Sequence, residues 1–184
     1  MKVTLTPETT DRVLVRALRR DDQQAFRLLF DRHYATLYRF VFYRLHEREQ
    51  SREIVQEVFC RLWERRQKLN AELSVRGLLF QMARNLCSDH LKKFKPVNIL
   101  DLDFPSDDLL PDHKLVLQER ILHILTTLPE TVRETLLLHR WHGLTYREIA
   151  VVQGISVKGV EKRMSKALKI LHRHTASLLK NPVA

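Results

Sequence analysis

The 184-residue sequence has little of what sheet proteins are built from. It contains only four glycines and six prolines, and no run of alternating apolar and polar residues is bounded by turn residues. Antiparallel strands usually show that alternation, and the turns between them usually need glycine or proline. The sequence therefore predicts an all-α chain, and its 44% apolar residues are enough for real cores in one or two domains.

Long apolar runs, cysteine pairs and metal-ligand spacings are also missing. No segment approaches the roughly 18 uncharged apolar residues of a membrane span, and the first residues, MKVTLTPETTDR, lack the apolar core of a signal peptide. We therefore expect a cytoplasmic protein without membrane insertion. Cys60 and Cys87 lie in amphipathic segments without CxxC or Cys-His spacing, which favours buried thiols over a disulfide or redox switch. The nine histidines show no zinc-ligand spacing, so we expect no metal and no cofactor.

No arrangement typical of an active site is present. The sequence has no glycine-rich phosphate loop, no paired carboxylates and no nucleophile placed beside a base. Core or solvated positions explain the scattered histidines, which include His33, His46, His90, His139 and His142. We therefore do not expect an enzyme.

What the chain has in excess is positive charge. Its net charge of +10 and pI near 9.9 point to a polyanionic partner. Nucleic acid is favoured over an anionic membrane, because no segment pairs a long apolar face with a basic one.

The sequence predicts two helical bundle domains joined by a flexible acidic linker. The first domain is placed at 9–94, with helix breaks near 20–22, 46–48 and 70–75, and the carboxylate at Asp21 suits a helix start. The linker, 95–113, contains prolines and these acidic residues: Asp101, Asp103, Asp107, Asp108 and Asp112. It is either a solvated tether or a nucleic-acid mimic that lies over a basic groove.

The second domain is placed at 114–180 and is predicted to have four helices. A heavily apolar helix runs from Leu115 to Leu128, and Pro129-Glu130 opens the next helix. The core-facing side of that helix is predicted to be Leu136 to Leu138 with Trp141.

The end of the second domain has the pattern of a helix-turn-helix. Leu144, Ile149 and Ala150 share one side of a short helix, and Gly154 permits the backbone of a sharp turn between helices. Ser156 is expected to cap the second helix, which in such motifs lies in the DNA major groove.

The second helix of this motif is amphipathic and basic. Its buried stripe is predicted to be Val157, Val160, Met164, Leu168 and Leu171. Its other faces present mostly basic residues: Lys158, Glu161, Lys162, Arg163, Ser165, Lys166 and Lys169. A surface hairpin with solvated charges is the alternative, and the accumulation of positive charge along one helix favours DNA binding.

The first domain contains two further helical patterns. Between Glu53 and Trp63 a core stripe is accompanied by a separate polar and aromatic face, which suits a protein partner. The segment Leu78 to Lys93 has a polar face with amide and basic side chains that suit bases and phosphates, although an ordinary solvated face has the same composition.

Taken in order, these motifs resemble those of the extracytoplasmic-function group of bacterial sigma-70-type sigma factors. The resemblance covers roughly Asp11 to Leu171. In this family a helical region 2 is followed by a linker and a helical region 4. The segment Ala25 to Leu45 resembles the first part of region 2, and Glu53 to Trp63, with Val-Gln-Glu-Val-Phe and a final Leu-Trp, resembles its polymerase-binding helix.

Further motifs extend the resemblance to the rest of region 2 and to region 4. Ala83-Arg84-Asn85 matches the Ala-x-Asn signature, and Lys92-Lys93 matches the basic helix end. Leu128-Pro129-Glu130 and the segment Gly143 to Ala150 match region 4. The segment Ser156 to Leu168 resembles the iron-citrate-regulator-like branch of the family.

The resemblance implies three sets of site residues. Those expected to bind bacterial core RNA polymerase are Glu53, Gln56, Glu57, Phe59 and Trp63. Those expected to receive the promoter's −10 strand, together with the loop Leu69 to Val75, are Asn70, Ala71, Arg84, Asn85, Asp89, Lys92 and Lys93. Those expected on the −35 duplex are Arg140, Arg147, Lys158, Gly159, Glu161, Lys162, Ser165 and Lys166.

The same resemblance implies a mechanism and partners. The bound protein would capture a base turned out of the −10 strand and so favour the melted promoter, while the polymerase makes the bonds. The linker would run near the active-site channel and the RNA exit path. An anti-sigma factor is also expected, covering the polymerase-binding face of region 2 or lying between the domains.

Several residues depart from the family's pattern. Gly159 stands where the family often has threonine, which weakens the helix and removes a hydroxyl. Arg76 and Leu78 stand where many relatives have aromatic residues, so weaker stacking on unpaired bases is expected. Glu161 either accepts a hydrogen bond from a cytosine amino group or pairs with a nearby lysine or arginine.

A stand-alone helix-turn-helix regulator is the alternative function. In that case the first domain would serve dimerisation or sensing, and nothing would be required of Glu53 to Trp63. The sigma-factor interpretation differs because it requires that segment to bind polymerase.

Overall fold

The structure, a computed structural model, describes residues 5–93 and 125–180, with side chains at all of these except 93 and 174–180. All regular secondary structure in these ranges is helical, which confirms the predicted all-α class. The chain divides into two compact units, whose main boundary lies between Val97 and Asn98. The acidic linker 95–113 and most of the apolar helix before Pro129 lie outside the described residues, and the limits 9–94, 95–113 and 114–180 stay predictions.

The first unit contains four α-helices. They are α1 (Asp11–Leu18), α2 (Gln23–Leu45), α3 (Arg48–Glu64) and α4 (Val75–Lys93), with a 3-10 turn at Arg66–Lys68. The breaks between them fall where the sequence predicted them. The helix-starting carboxylate is Asp22 and not Asp21, because Asp22 Oδ1 accepts the Ala25 N–H at 3.0 Å while Asp21 takes a left-handed φ of 64°.

Helix α2 is the centre of this unit and packs against α1, α3 and α4. The core is formed by fully buried side chains from all four helices: Leu14, Leu18, Leu29, Leu37, Val55, Leu62, Leu79 and Phe80. Cys87 is buried as predicted. Cys60 is exposed, which corrects the expectation of two buried thiols, because it follows the buried Phe59 on the outer side of α3.

A polar network fixes the start of α1 on α2. Asp11 Oδ1 accepts from Arg32 Nη1 at 2.5 Å, and Asp11 Oδ2 lies 2.9 Å from His33 Nε2. Arg32 also donates to the Thr9 carbonyl at 2.7 Å. Burial raises the pKa of Asp11, but the hydrogen bonds and charges of His33 and Arg32 outweigh it and hold that pKa below its ordinary value.

The second unit contains three α-helices in the described residues. They are α5 (Glu130–Arg140), α6 (Tyr146–Gln153) and α7 (Val157–Lys180), and α5 packs against α7. Gly154 takes a φ of 64° between α6 and α7, as its predicted turn position requires. Ser156 Oγ accepts from the Gly159 N–H at 3.2 Å, which confirms the predicted helix cap.

The buried stripe of α7 is narrower than predicted. Val160, Met164 and Ala167 are buried, whereas Val157 is 38% and Leu168 46% exposed. The core also excludes Trp141, which is 59% exposed. The reason is that α5 ends at Arg140, and the chain turns through Gly143 so that Leu144, at 1% exposure, fills the core instead.

Replacing Asp11 with asparagine is expected to lower the free energy of unfolding by about 1–3 kcal/mol at pH 7, because charge-assisted bonds to Arg32 and His33 are lost. A carboxylate with a lowered pKa stabilises the fold above its unfolded-state pKa and stops doing so as the pH falls through its folded-state pKa. The difference between the wild type and Asp11→Asn should therefore persist at neutral pH and shrink below about pH 4.

Denaturant unfolding followed by circular dichroism at several pH values measures this difference. Asp31→Asn is the matched control, because its exposed carboxylate lies 4.0 Å from Arg27 and is expected to contribute little. A difference that is equal at pH 3 and pH 7 would contradict the assignment.

Candidate functional site

Helix α3 has two faces with opposite roles. Its inner side is a stripe of buried residues: Ile54, Val55, Val58, Phe59 and Leu62. Glu53, Gln56 and Glu57 lie on the outer side and are exposed. Glu57 Oε1 accepts from Arg61 Nε at 2.7 Å, and Glu53 Oε2 accepts from Gln50 Nε2 at 3.1 Å. The outer side is therefore an ordered acidic and amide surface, called here the α3 face.

Trp63 stands at the C-terminal end of the α3 face and is partly exposed. Its ring packs edge-on against Phe26, with ring centres 5.3 Å apart, and the Arg66 guanidinium lies 4.3 Å from its centre. Arg66 is itself fixed, since it donates to the Trp63 carbonyl at 2.8 Å and to Asp21 Oδ1 at 2.5 Å. The indole is thus held rigidly while part of it remains accessible.

Phe59 does not belong to the accessible part of this surface. It is only 2% exposed and packs against Phe30 and Phe26, with ring centres 4.7 and 6.2 Å away. The sequence-based assignment of Phe59 as a polymerase contact is therefore corrected, because its side chain supports the α3 face from beneath.

Beside α3 runs a feature that the sequence analysis missed. Every fourth residue of α2 from Phe26 is aromatic, and most of these rings contact the next along the helix: Phe26, Phe30, Tyr34, Tyr38 and Phe42. All five side chains are half-buried. The four-residue spacing was visible in the sequence and is the signal that could have found this row.

Between α3 and α4 lies a structured loop, residues 69–74, called here the α3–α4 loop. Leu69 and Ala71 point into the core, with exposures of 8% and 6%. The Asn70 side-chain oxygen accepts the Glu72 N–H at 2.9 Å. Leu73 is 68% exposed at the tip. Ala71, assigned from the sequence to −10 binding, is corrected to a core anchor because its side chain is buried.

Helix α4 presents a mixed polar face next to this loop. Asn85 is exposed and Arg84 is half-buried. Asp89 Oδ1 lies 3.2 Å from Lys92 Nζ, so a carboxylate that would repel DNA has a cation beside it. The side chain of Lys93 lies outside the described part of the chain. Arg76 and Leu78, where the family often has aromatic residues, are both half-buried.

The helix-turn-helix brings most of the predicted duplex-binding residues to the surface. The exposed ones are Arg140, Arg147, Lys158, Glu161, Lys162, Ser165 and Lys166. Gly159 is half-buried, and a Cβ there would meet Ile155 Cδ1 at 3.4 Å, which is ordinary contact. Glu161 is exposed on the same helix, and its two predicted roles, acceptor for a cytosine amino group or partner of a nearby cation, both stay predictions.

The first helix of this motif begins with a reciprocal cap that the sequence analysis also missed. Glu148 Oε2 accepts the Thr145 N–H at 2.8 Å, and Thr145 Oγ1 accepts the Glu148 N–H at 3.3 Å. This is a capping box, and its Thr-x-x-Glu pattern was the signal available in the sequence. It fixes the start of α6.

The described residues include neither a membrane-spanning helix nor a cluster of metal ligands. No helix there has the length and apolarity that crossing a membrane requires. No group of three or more histidine, cysteine or acidic side chains there is arranged to hold a metal ion.

Two family models match the chain. The model "Sigma-70 region 2" matches residues 29–95, and the model "Sigma-70, region 4" matches residues 118–171. The first contains α3, the α3–α4 loop and all of α4, and the second contains the helix-turn-helix. The two matches follow the order of the motifs and together cover well over half of the chain.

Individual relatives are similar over most of their length. The ECF RNA polymerase sigma factor SigX of Bacillus subtilis is 25% identical over 163 residues, covering 83% of this chain and 84% of SigX. A solved structure of CnrH, in complex with the cytosolic domain of CnrY, has a TM-score of 0.67 at 24% identity, covering 91% of this chain and 97% of CnrH.

The sigma factor RpoE, in complex with the anti-sigma factor NepR from Bartonella quintana, has a TM-score of 0.55 at 18% identity, covering 89% of this chain and 92% of that one. These structures share the fold. Because both sigma regions match, the chain is assigned to the sigma factors and not to the stand-alone helix-turn-helix regulators. The chain therefore belongs to the sigma-70 family of RNA polymerase sigma factors, in its extracytoplasmic-function group.

Proposed function

We propose that the chain binds core RNA polymerase through the α3 face, with Glu53, Gln56, Glu57 and Trp63 docking on the clamp helices of the largest subunits. The observation that supports this most directly is the division of α3. Its inner residues are fully used in the core, so its exposed carboxylates serve no packing role. Trp63 adds a rigid aromatic anchor of the kind that dominates protein interfaces.

The −10 strand is proposed to lie across the α3–α4 loop and the polar face of α4. Asn70, Asn85 and Arg84 offer amide and guanidinium groups at or near the surface, and Lys92 offers a positive charge. Amides bind base edges, and cations bind phosphates. A base captured there costs a few kcal/mol to extrude, and the contacts offset that cost. Asp89 and Lys93 complete the proposed set.

The −35 duplex is proposed to receive α7 in its major groove. Its N-terminal turns present Lys158, Glu161, Lys162, Ser165 and Lys166 outward. The positive side chains neutralise phosphates, and Glu161 is placed to accept from a cytosine amino group. Arg140 and Arg147 are proposed to touch flanking phosphates. Gly159 lets the backbone of the first turn come close to the DNA.

Sigma factors are non-catalytic initiation factors, and the same is proposed for this chain. It selects the promoter and stabilises the open strand, while the polymerase forms every phosphodiester bond. The site of action is then the bacterial cytoplasm, where core polymerase and promoter DNA are found.

An anti-sigma factor is proposed as the regulator of this chain. The structurally similar RpoE was solved with the anti-sigma factor NepR. The α3 face is the surface whose coverage would most directly prevent activity, because a protein bound there would exclude polymerase.

The polymerase-binding role of the α3 face predicts the effect of Glu57→Lys. Reversing this exposed charge places a cation beside Arg61 and removes the acceptor for polymerase, so affinity for core polymerase should fall about 10- to 100-fold. Titration of labelled protein with bacterial core polymerase measures the affinity. Asp31→Lys, the same charge change on exposed α2 surface, should bind like the wild type. Equal affinities for all three proteins would contradict the proposal.

The duplex-binding role of α7 predicts the effect of Lys158→Ala. Loss of one phosphate contact should lower the slope of log affinity against log salt by about 0.9 and weaken promoter binding at every sequence. Binding of the polymerase complex to a promoter fragment across a potassium chloride series gives the slope. The control is Arg39→Ala, which removes an exposed positive charge from α2. An unchanged slope for Lys158→Ala would remove this residue from the interface.

A further inference from the structure

The α3–α4 loop is tied to α1 by a two-arginine clamp. Glu72 Oε1 accepts from Arg12 Nε at 3.0 Å and from Arg16 Nη2 at 2.8 Å, and Arg12 also pairs with the second oxygen of Glu72. Arg12 and Arg16 are four residues apart and so lie on one face of α1. We propose that Glu72 is a positioning residue, through which α1 fixes the shape of the α3–α4 loop for promoter melting.

The surrounding contacts show why this clamp controls the loop tip. On either side of the tip the chain is anchored, since Ala71 and Val75 are buried. Ser74 Oγ accepts the Gly77 N–H at 3.1 Å at the start of α4. Glu72, Leu73 and Ser74 are the exposed residues between the two anchors, and Glu72 is held by side chains of α1. Leu73, at 68% exposure, directly follows the clamped residue.

Charge gives the clamp a second effect. A bare carboxylate in a loop that receives a DNA strand would repel phosphates. Two guanidinium groups on Glu72 more than neutralise it, and hydrogen bonds from Arg12 and Arg16 lower the pKa of Glu72, so it stays ionised and paired. The clamp therefore leaves the loop with the positive local charge that a strand of DNA favours.

Helix α1 can position the α3–α4 loop because α1 is itself fixed on α2. Asp11, at its first turn, is bound by Arg32 and His33 of α2. Leu14, Val15 and Leu18 bury its inner side. The α3–α4 loop is bonded to α1, and α1 is fixed on α2, so the position of the loop relative to α2 is set. Leu73 is thereby held where it can contact an unstacked base.

This inference rests on the proposed function, because it assumes that the α3–α4 loop receives the −10 strand. The test compares transcription from a duplex promoter and from the same promoter with a pre-opened mismatch at the −10 element, using reconstituted polymerase complex. Glu72→Gln is expected to lower initiation on the duplex about three- to tenfold. The pre-opened template should recover most of the loss, because it no longer needs the loop to capture a base.

Variants of the two arginines test the inference independently in the same assay. If the clamp acts as a unit, Arg12→Gln with Arg16→Gln should lower duplex initiation as Glu72→Gln does, and the triple variant should be no worse than either. Additive losses would mean that the arginines bind phosphates by themselves and would overturn the inference. Asp31→Asn, which makes the same kind of charge removal at an exposed carboxylate 4.0 Å from Arg27 on α2, should match the wild type.

The transcription rates on the two templates distinguish failure of the proposed function from failure of the inference about Glu72. Wild-type protein that starts no transcript from either template would mean that the proposed function fails. If the wild type is active and Glu72→Gln initiates on the duplex promoter at the same rate, the inference about Glu72 would be overturned and the proposed function would stand. A loss for Glu72→Gln that is just as large on the pre-opened template would also overturn it, since the residue would then act on binding and not on melting. Circular dichroism of each variant confirms that the exposed substitutions leave the helices intact.

Discussion

The burial of the apolar stripe of α3 is the packing interaction that orients the α3 face. Val55, Val58, Phe59 and Leu62 are almost entirely buried against α2 and α4, so the rotation of α3 about its own axis is fixed. Because a helix repeats every 3.6 residues, that rotation leaves Glu53, Gln56 and Glu57 on the outside. The same packing places Trp63 between Phe26 and Arg66. The α3 face is thus oriented by the packing of the core alone.

The second unit uses backbone geometry for the same purpose. The Thr145–Glu148 capping box fixes where α6 starts, the left-handed Gly154 sets the angle of the turn, and Ser156 starts α7. Helix α7 is then held by a narrow buried stripe of Val160, Met164 and Ala167. Most of its surface over the residues described with side chains, lysines included, is therefore exposed. The basic surface of α7 is broad because only a narrow side of the helix is buried in the core. Helices α3 and α7, proposed to bind polymerase and duplex DNA, therefore follow one rule, in which the buried side of the helix determines which residues are exposed on the other side.

The sequence predicted the helical class, the breaks between helices, the turn at Gly154 and the cap at Ser156, because each depends on local patterns. It failed where burial depends on tertiary contacts. Phe59 and Ala71 have side chains suited to a binding surface, yet packing draws both into the core, while Trp141 and Leu168 are left outside. The clamp on Glu72 joins residues 60 and 56 positions apart, and no spacing in the sequence indicates such a pair. The aromatic row on α2 and the capping box were visible in the sequence and were missed.

Whether this chain directs polymerase to promoters can be measured with purified components. Purified chain is incubated with bacterial core RNA polymerase, and both co-elution and transcripts from a fragment library of the source genome are recorded, alongside Trp63→Ala. We expect the wild type to form a stable complex that starts transcripts at defined sites, and Trp63→Ala to lose both properties. Tight sequence-specific DNA binding without polymerase association would contradict this expectation.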